Sequence, residues 1–502
     1  MRLPRKEWDQ TGTITHVPTI YFYRPPQHCD SNKITTTLRQ SLSQALVPFY
    51  PLAGRLHRLS FDTSRLELNC NAEGVEFVEA EFGLKLDEVG EHNLHLTPIL
   101  DYTRPIHELP LLLVQLTRFS CGGFSLGLTI SHAVADGPSA LHFCSEWASL
   151  SRGESIKTMP ILDQEILIQG VDDIISNNVV DSDWEQFPLL IGNSNNLEEK
   201  KKEVISAFLR VTKELLEKLK RLANKGRMIS DKTRPYSRYE MLAAHIWRCA
   251  CKARKHSSAQ QTALAVCVDI RSRTEPPLPS AYFGNASFDV KAISTSGELV
   301  SKPLGFAASK IRETIEKVTN KYIWSNLKYL KSQKDLRMFQ DLHEGFYGNP
   351  NLCVVSWLRL PLYGLDFGWG KEVGMSIETS NDIDGEFVLL QNPSSGDNNE
   401  ETEPEDISSI GVLPTSVDPK STKGDFKAGA RFLLSNRGVS ETVSSVSSSP
   451  PSQPTQLDHH LFQAGLTHQR NRPPSIETHR PLASQHPYHF YHSLQQPQMD
   501  SH

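Results

Sequence analysis

His132 and Asp136 stand four positions apart in the stretch Ser131-His-Ala-Val-Ala-Asp-Gly137. Imidazole is the side chain that titrates unperturbed near neutral pH, so it can take a proton from a hydroxyl or an amine as that group attacks an electrophile. No serine or cysteine nucleophile reads as its partner, so the electrophile must arrive with the substrate. Taken alone, the pair has a second explanation. Asp136 followed by Gly137 and Pro138 is also what a helix N-cap with proline in the first turn looks like. Trp357 is another residue that could touch chemistry: its indole N–H only donates, which suits an acceptor or a developing oxyanion, and suits a plain core tryptophan equally. Asp366-Phe-Gly-Trp-Gly370 is not a catalytic constellation. Gly368 and Gly370 permit tight turns, and Phe367 and Trp369 supply apolar bulk.

The surrounding patterns predict how these residues are held. Residues 124–130 (FSLGLTI) read as an apolar strand running into His132, paired as a hairpin with 111–119 (LLLVQLTRF) across Ser120-Cys-Gly-Gly123. A helix from about Pro138 to Leu150 leaves the motif, with Leu141, Cys144 and Trp147 or Ala148 as its apolar stripe. His132 therefore sits at a strand-to-loop junction, where a side chain can project into a cleft. Further strands are expected over 11–23, 65–70, 263–270 and 352–358. Helices are expected from Ser31 or Asn32 to Pro48, and over 212–224, 239–252 and 304–318. Strands and helices interleave with hairpins, so the fold class is α/β with mixed sheets.

Composition narrows the function. The chain has 502 residues and a net charge of −5, so it lacks the basic footprint of a nucleic-acid binder. It contains no apolar run long enough to span a membrane and no apolar segment after Met1 resembling a signal peptide, which leads us to expect a cytoplasmic protein. The eight cysteines form no CxxC pair and read as reduced, buried thiols. No metal site is indicated. Asn285-Ala-Ser is formally a glycosylation sequon. From residue 393 the composition turns polar, then rich in Ser, Pro, His and Gln, and eight of the 19 histidines lie between His459 and His502. That segment reads as disordered.

SHAVADG together with DFGWG resembles the plant BAHD acyl-CoA-dependent acyltransferases, whose signatures are HxxxDG and DFGWG. The resemblance extends over roughly residues 8–392 through YPLAGRL (50–56), SRYEMLAAHIWR (237–248), VDIRSR (268–273), YFGN (282–285) and VVSWLRLPLYGLDFGWG (354–370). It implies two pseudo-equivalent chloramphenicol-acetyltransferase-like domains with a cleft between them. The expected boundaries are an N-terminal domain over 1–186, a crossover over 187–204, a C-terminal domain over 205–392 and the tail over 393–502. The resemblance also implies that His132 is the base and that Asp136 gives structural support by pairing with an arginine of the other domain. Arg271 is the first candidate for that arginine and Arg273 the second. Gly137, Asp366, Phe367, Gly368, Trp369 and Gly370 are implied to be structural.

Acyl-CoA is implied as co-substrate, with no bound cofactor. Ser237, Arg238 and Tyr239 resemble the segment that meets the coenzyme A arm, although a helix cap explains the same residues. Overall, 8–392 looks most like the branch described as spermidine hydroxycinnamoyl transferases, which implies a small-molecule amine acceptor. Asp382, Asp384 and Glu386 are candidates to hold its distal charges, and an exposed loop explains them as well. The alternative acceptor is an alcohol such as shikimate or quinate. Val355 stands where shikimate-type relatives commonly have Thr, which argues mildly against that acceptor. A monomer is expected. Carrier-protein condensation domains share the histidine motif but usually show His-His, where this chain has Ser131-His132. A third reading is an inactive relative. The implied opening strand is not evident before Trp8, nor are the closing strand and helix after residue 392, except as alternation over 407–412 and 426–434.

Overall fold

The computed structural model describes residues 2–4, 9–11, 14–26, 31–59, 65–88, 95–163, 204–226, 234–336, 340, 348–378, 384–391 and 407–414. All of these lie within one compact unit, Met1–Thr442.

The N-terminal half is built on β6 (Leu112–Phe119) and β7 (Phe124–Ser131), an antiparallel hairpin turning through Ser120–Gly123. Every residue of β7 is buried, which fits a strand covered on both faces. Alternate side chains divide the work. Leu126, Leu128 and Ile130 belong to the core shared with α1 (Ser31–Ala45) and α2 (Gly137–Ser151), while Ser125, Gly127, Thr129 and Ser131 point to the opposite face. Leu38, Leu42 and Ala45 form the buried stripe of α1, the i, i+4, i+7 spacing of an amphipathic helix. Trp147 of α2 is fully buried and donates its indole N–H to Ser41 Oγ at 3.0 Å, so its apolar body is buried without orphaning its donor.

The sheet continues through β2 (His16–Tyr23), antiparallel to β7, and β5 (Glu76–Phe82), parallel to β6. Its far edge is β12 (Gly374–Ile377), which pairs with β2. The complete order is β12-β2-β7-β6-β5. The expected C-terminal domain of 205–392 therefore gives up β12 and the 366–370 turn, because both pack on the N-terminal sheet.

The C-terminal half is a six-stranded mixed sheet, ordered β10-β9-β11-β13-β14-β8. Its strands are β8 (Val204–Val211), β9 (Gln261–Asp269), β10 (Ser287–Thr295), β11 (Leu352–Ser356), β13 (Glu386–Gln391) and β14 (Ile407–Pro414). One face packs its Leu264, Val266, Val268, Val290 and Val354 into a core with α3 (Lys213–Asn224), α4 (Arg238–Ala253), α5 (Ser296–Ser301) and α6 (Leu304–Glu316). Within that core, Arg312 reaches the buried Glu240 carboxylate through two hydrogen bonds of 2.9 Å. Burial alone would raise Glu240, but Arg312 and the Ser237 N–H hold it down at about 2.

Two expectations about the chain ends are corrected. The segment from residue 393, read as disordered apart from alternation over 407–412 and 426–434, contains β14. This strand bonds to β13 on one side and to β8 on the other, so it occupies the interior of the sheet. The alternation over 407–412 was the visible trace of this strand, diluted by Ser408, Ser409 and Gly411. At the other end, β1 (Arg2–Pro4) pairs with β4 (Leu66–Asn69), which also pairs with β3 (Arg55–Arg58). Of the expected crossover over 187–204, residues 187–203 lie outside the described residues, as does 426–434. No helix among the described residues is long and apolar enough to cross a membrane.

Candidate active site

Three backbone hydrogen bonds fix the turn after β7. Ser131 N–H donates to Leu111 O at 2.9 Å, His132 N–H donates to Thr15 O at 2.7 Å, and His132 O accepts from Asn285 Nδ2 at 2.9 Å. The first two come from the N-terminal half and the third from the C-terminal half, so His132 sits where the halves meet. Its ring is less constrained than its backbone. Nδ1 is enclosed with no hydrogen-bond partner among the described residues, while the residue as a whole is partly exposed.

Asp136 is the opposite case. It is 2% exposed, and both carboxylate oxygens are fully engaged. Oδ1 accepts from the Ser139 N–H at 3.2 Å as the N-cap of α2 and from Arg271 at 2.8 Å. Oδ2 accepts from Arg271 at 2.7 Å and from the Ala286 N–H at 2.9 Å. A bidentate arginine fits a carboxylate in both geometry and charge, and here it joins the two halves of the protein. Ser139 Oγ donates to Gly284 O at 2.8 Å and accepts from the Gly284 N–H at 3.1 Å. Arg273, the second candidate for the pairing, lies elsewhere: its guanidinium donates to Ile315 O and Val318 O, each at 3.0 Å, near the end of α6. Gly137 lies against Leu360: a Cβ there would be 2.8 Å from Leu360 Cδ1, so that side-chain end would have to shift.

Leu360 closes the turn that begins at Trp357, through its N–H to Trp357 O at 3.1 Å. Trp357 follows β11 directly. Its N–H bonds to Leu389 O at 2.9 Å, and its partly buried ring packs with Leu141, Leu362 and Leu390. The loop that carries His132 and the turn that carries Trp357 are thus in contact through Gly137 and Leu360.

The 366–370 turn satisfies itself. Asp366 Oδ1 accepts from the N–H groups of Gly368 at 2.7 Å and Gly370 at 3.0 Å, and both glycines have positive φ, 107° and 95°. Ser151 Oγ donates to Phe367 O at 2.8 Å, and Arg152 donates to Asp366 O. Phe367 is buried edge-on against Trp147 at 4.9 Å, and Trp369 meets Phe124 edge-on at 5.8 Å. The turn anchors the chain as it crosses to become β12.

A seam opens in the C-terminal sheet beside these turns. Strands β9 and β11 pair only over Leu264–Val266 with Leu352–Val354. Beyond that point β9 stays with β10 and β11 stays with β13. Tyr239 donates its hydroxyl to Val354 O at 2.9 Å, where the strands part, and burial pushes its phenol well above the usual range. Cys267 lies on the seam. It is exposed, yet burial followed by the nearby Asp289 pushes its thiol well above the usual range. Cys267 and Cys121 are thus exposed, contrary to the expectation of buried thiols; the seven described cysteines are all free.

The segment expected to meet coenzyme A has structural partners. Ser237 and Glu240 form a reciprocal capping box at the start of α4, Tyr239 is bonded as above, and Arg238 is the first residue of the helix. The expected acidic cluster is not brought together as a free group. Asp384 pairs with Arg254 at 2.6 Å and accepts from the Asn349 N–H at 2.9 Å, so it fixes the approach to β13. Glu386 lies on that strand, and Asp382 is outside the described residues. No group of three metal-ligating side chains occurs among the described residues.

Two residues that hold His132 were missed as site residues. Asn285 had been read only within YFGN and as a sequon, yet it is 2% exposed and its amide is bonded to His132 O. Thr15 acts through its carbonyl, which any residue carries, so no side-chain signal existed.

An α/β fold built on two large mixed sheets, with a histidine turn held from both halves, is the framework of an acyltransferase. A model described as Transferase family matches residues 1–402. The chain is 40% identical over 404 residues to hydroxycinnamoyl-CoA:piscidic acid hydroxycinnamoyltransferase of Actaea racemosa, covering 78% of this chain and 89% of that protein. It is 37% identical to shikimate O-hydroxycinnamoyltransferase of Nicotiana tabacum, covering 72% and 82%. The crystal structure of F. sporotrichioides TRI101 complexed with coenzyme A and T-2 shares the fold. It has a TM-score of 0.66 at 17% identity and covers 87% of this chain and 98% of that one. The chain belongs to this transferase family, the BAHD acyltransferases, and is an acyl-CoA-dependent acyltransferase.

Proposed function

We propose that the protein transfers a hydroxycinnamoyl group from its CoA thioester to a hydroxyl or amine of a small acceptor, with His132 as general base. The observation that carries this reading is the His132 turn: its backbone is held from both halves, while the residue is partly exposed and its ring Nδ1 has no partner among the described residues. Nε2 takes the acceptor proton as the acceptor lone pair attacks the thioester carbonyl. The resulting oxyanion is stabilised by donors such as the Trp357 indole N–H. The C–S bond then breaks, and the imidazolium returns its proton to the departing thiolate. No acyl-enzyme forms, so donor and acceptor are bound together. Asp136 takes no part in proton transfer; its carboxylate braces the loop through Arg271.

The thioester arm enters along the seam between β9 and β11, past Cys267, from the side of Ser237, Arg238 and Tyr239.

The acceptor divides the reading further. The relatives above are named for piscidic acid and for shikimate, which favours a hydroxyl on an acidic acceptor. A polyamine nitrogen, the finer expectation from sequence, keeps Glu386 as a candidate for the distal charges, whereas Asp384 is taken by Arg254. Incubation with coumaroyl-CoA and, in parallel, shikimate, piscidic acid or spermidine separates these by product mass. An ester product supports the hydroxyl acceptor, an amide of spermidine replaces it with the polyamine, and no acyl transfer to any acceptor sinks the proposal.

A further inference from the structure

Beside the His132 turn, on the first residue of β2, lies a buried imidazole that the proposed reaction does not use. His16 pairs in register with Ser131, the residue before His132, and is 6% exposed. Its Nε2 lies 2.9 Å from Pro110 O. A carbonyl only accepts, so Nε2 carries the hydrogen and Nδ1 keeps its lone pair. Nδ1 lies 3.1 Å from the Tyr102 hydroxyl, which also accepts from the His16 backbone N–H at 3.0 Å. The phenol O–H must therefore donate to Nδ1. One tautomer satisfies every polar group in this set, and burial, partly opposed by the Pro110 hydrogen bond, lowers the imidazole to about 4, which keeps it in that form near neutral pH.

The set ties the start of β2 to both ends of segment 102–110. Each end of that tie adjoins a carbonyl that holds the catalytic turn. Thr15, next to His16, accepts from the His132 N–H at 2.7 Å, and Leu111, next to Pro110, accepts from the Ser131 N–H at 2.9 Å. Both carbonyls also flank strands that pair with β7, and the tie adds a direct link between them. A general base tolerates little movement, since a displacement of about 1 Å costs roughly 10²-fold in rate.

We propose that His16, buckled to Tyr102 and Pro110, is a positioning residue that fixes the Ser131–His132 turn and thereby the place of the His132 ring. The proposal rests on His132 as the base. Tyr102 is half exposed at 50%, so Tyr102→Phe removes only the hydroxyl and keeps the ring. It should lower kcat between about five- and tenfold, the scale of a net hydrogen bond, with KM for donor and acceptor within about twofold. His16→Phe, which removes both side-chain bonds, should lower kcat further in the same pattern.

The deciding measurement is each variant made again in a His132→Ala background, because residues acting through one another are not additive. The expected result is no further loss there. A kcat unchanged by both single substitutions overturns the proposal, as does the same fold-loss in the His132→Ala background. A His132→Ala enzyme with near-normal kcat overturns the parent reading and this one with it. An inactive His132→Ala beside a normal Tyr102→Phe and a normal His16→Phe overturns the buckle alone.

Discussion

Two turns in this molecule, 131–137 and 366–370, carry the most distinctive residue patterns, and they settle their hydrogen bonds in opposite ways. At 366–370 the pairing is internal or goes straight into the core. Asp366 accepts from Gly368 and Gly370, Phe367 O accepts from Ser151, and the Phe367 ring is enclosed by Trp147 and Tyr23. At 131–137 the Asp136 carboxylate is equally well satisfied, but His132 Nδ1 is enclosed without a partner among the described residues, as are the adjacent Ser131 Oγ and Asn285 Oδ1. Buried polar groups are nearly always paired, so this set of unpartnered atoms around the turn sets it apart from 366–370. A motif that closes on itself stabilises the fold, and one that leaves a group open is equipped to act.

Four substitutions test that contrast, in falling order of effect. His132→Ala should lower kcat by at least about 10²-fold, the low end of what a positioned base supplies, while thermal unfolding stays close to wild type. A normal rate would erase the distinction between the turns. Arg271→Met should act on both properties. It leaves the buried Asp136 carboxylate without its counter-charge, a loss of about 3–5 kcal/mol readable by urea unfolding, and the slackened turn should lower kcat as well. Stability near wild type would show that the two halves are joined by something other than this pair.

Phe367→Ala should cost about 3–5 kcal/mol of stability and leave kcat per folded molecule within about threefold. A selective fall in kcat with stability intact would make 366–370 a working turn after all. Cys267→Trp gives the smallest effect. It places a large ring in the seam and should raise the donor KM about tenfold, equivalent to about 1.4 kcal/mol, with the acceptor KM unmoved. Equal effects on both substrates would mean that the donor does not pass there.

The elements nearest the site were legible because their patterns are strong. The 112–119 and 124–131 hairpin is almost wholly apolar, α2 carries an N-cap and a proline at its start, and Leu38, Leu42 and Ala45 mark the face of α1. What escaped was non-local. Strand β14 reads as two serines and a glycine among aliphatics, and it is held by pairing on both sides rather than by its own propensity. Strand β12 has four residues, too few for a period. Asp384 reads as part of an acidic loop until Arg254, 130 positions earlier, is found against it. Ser237 and Tyr239 matched a ligand-binding segment by type, yet their hydrogen bonds run to Glu240 and Val354.

By itself, the sequence determined the α/β class, the position of His132 at the end of an apolar strand, Asp136 as a cap and the self-contained character of 366–370. These follow from neighbours a few residues apart, whose spacing is chemistry in its own right. Tertiary structure alone decided that Arg271 rather than Arg273 meets Asp136, that Asn285 and Thr15 hold the His132 turn, and that a strand from beyond residue 393 completes a sheet. Apart from the β13–β14 pairing, those contacts join residues more than a hundred positions apart, and no local pattern encodes a partner that only folding brings within 3 Å.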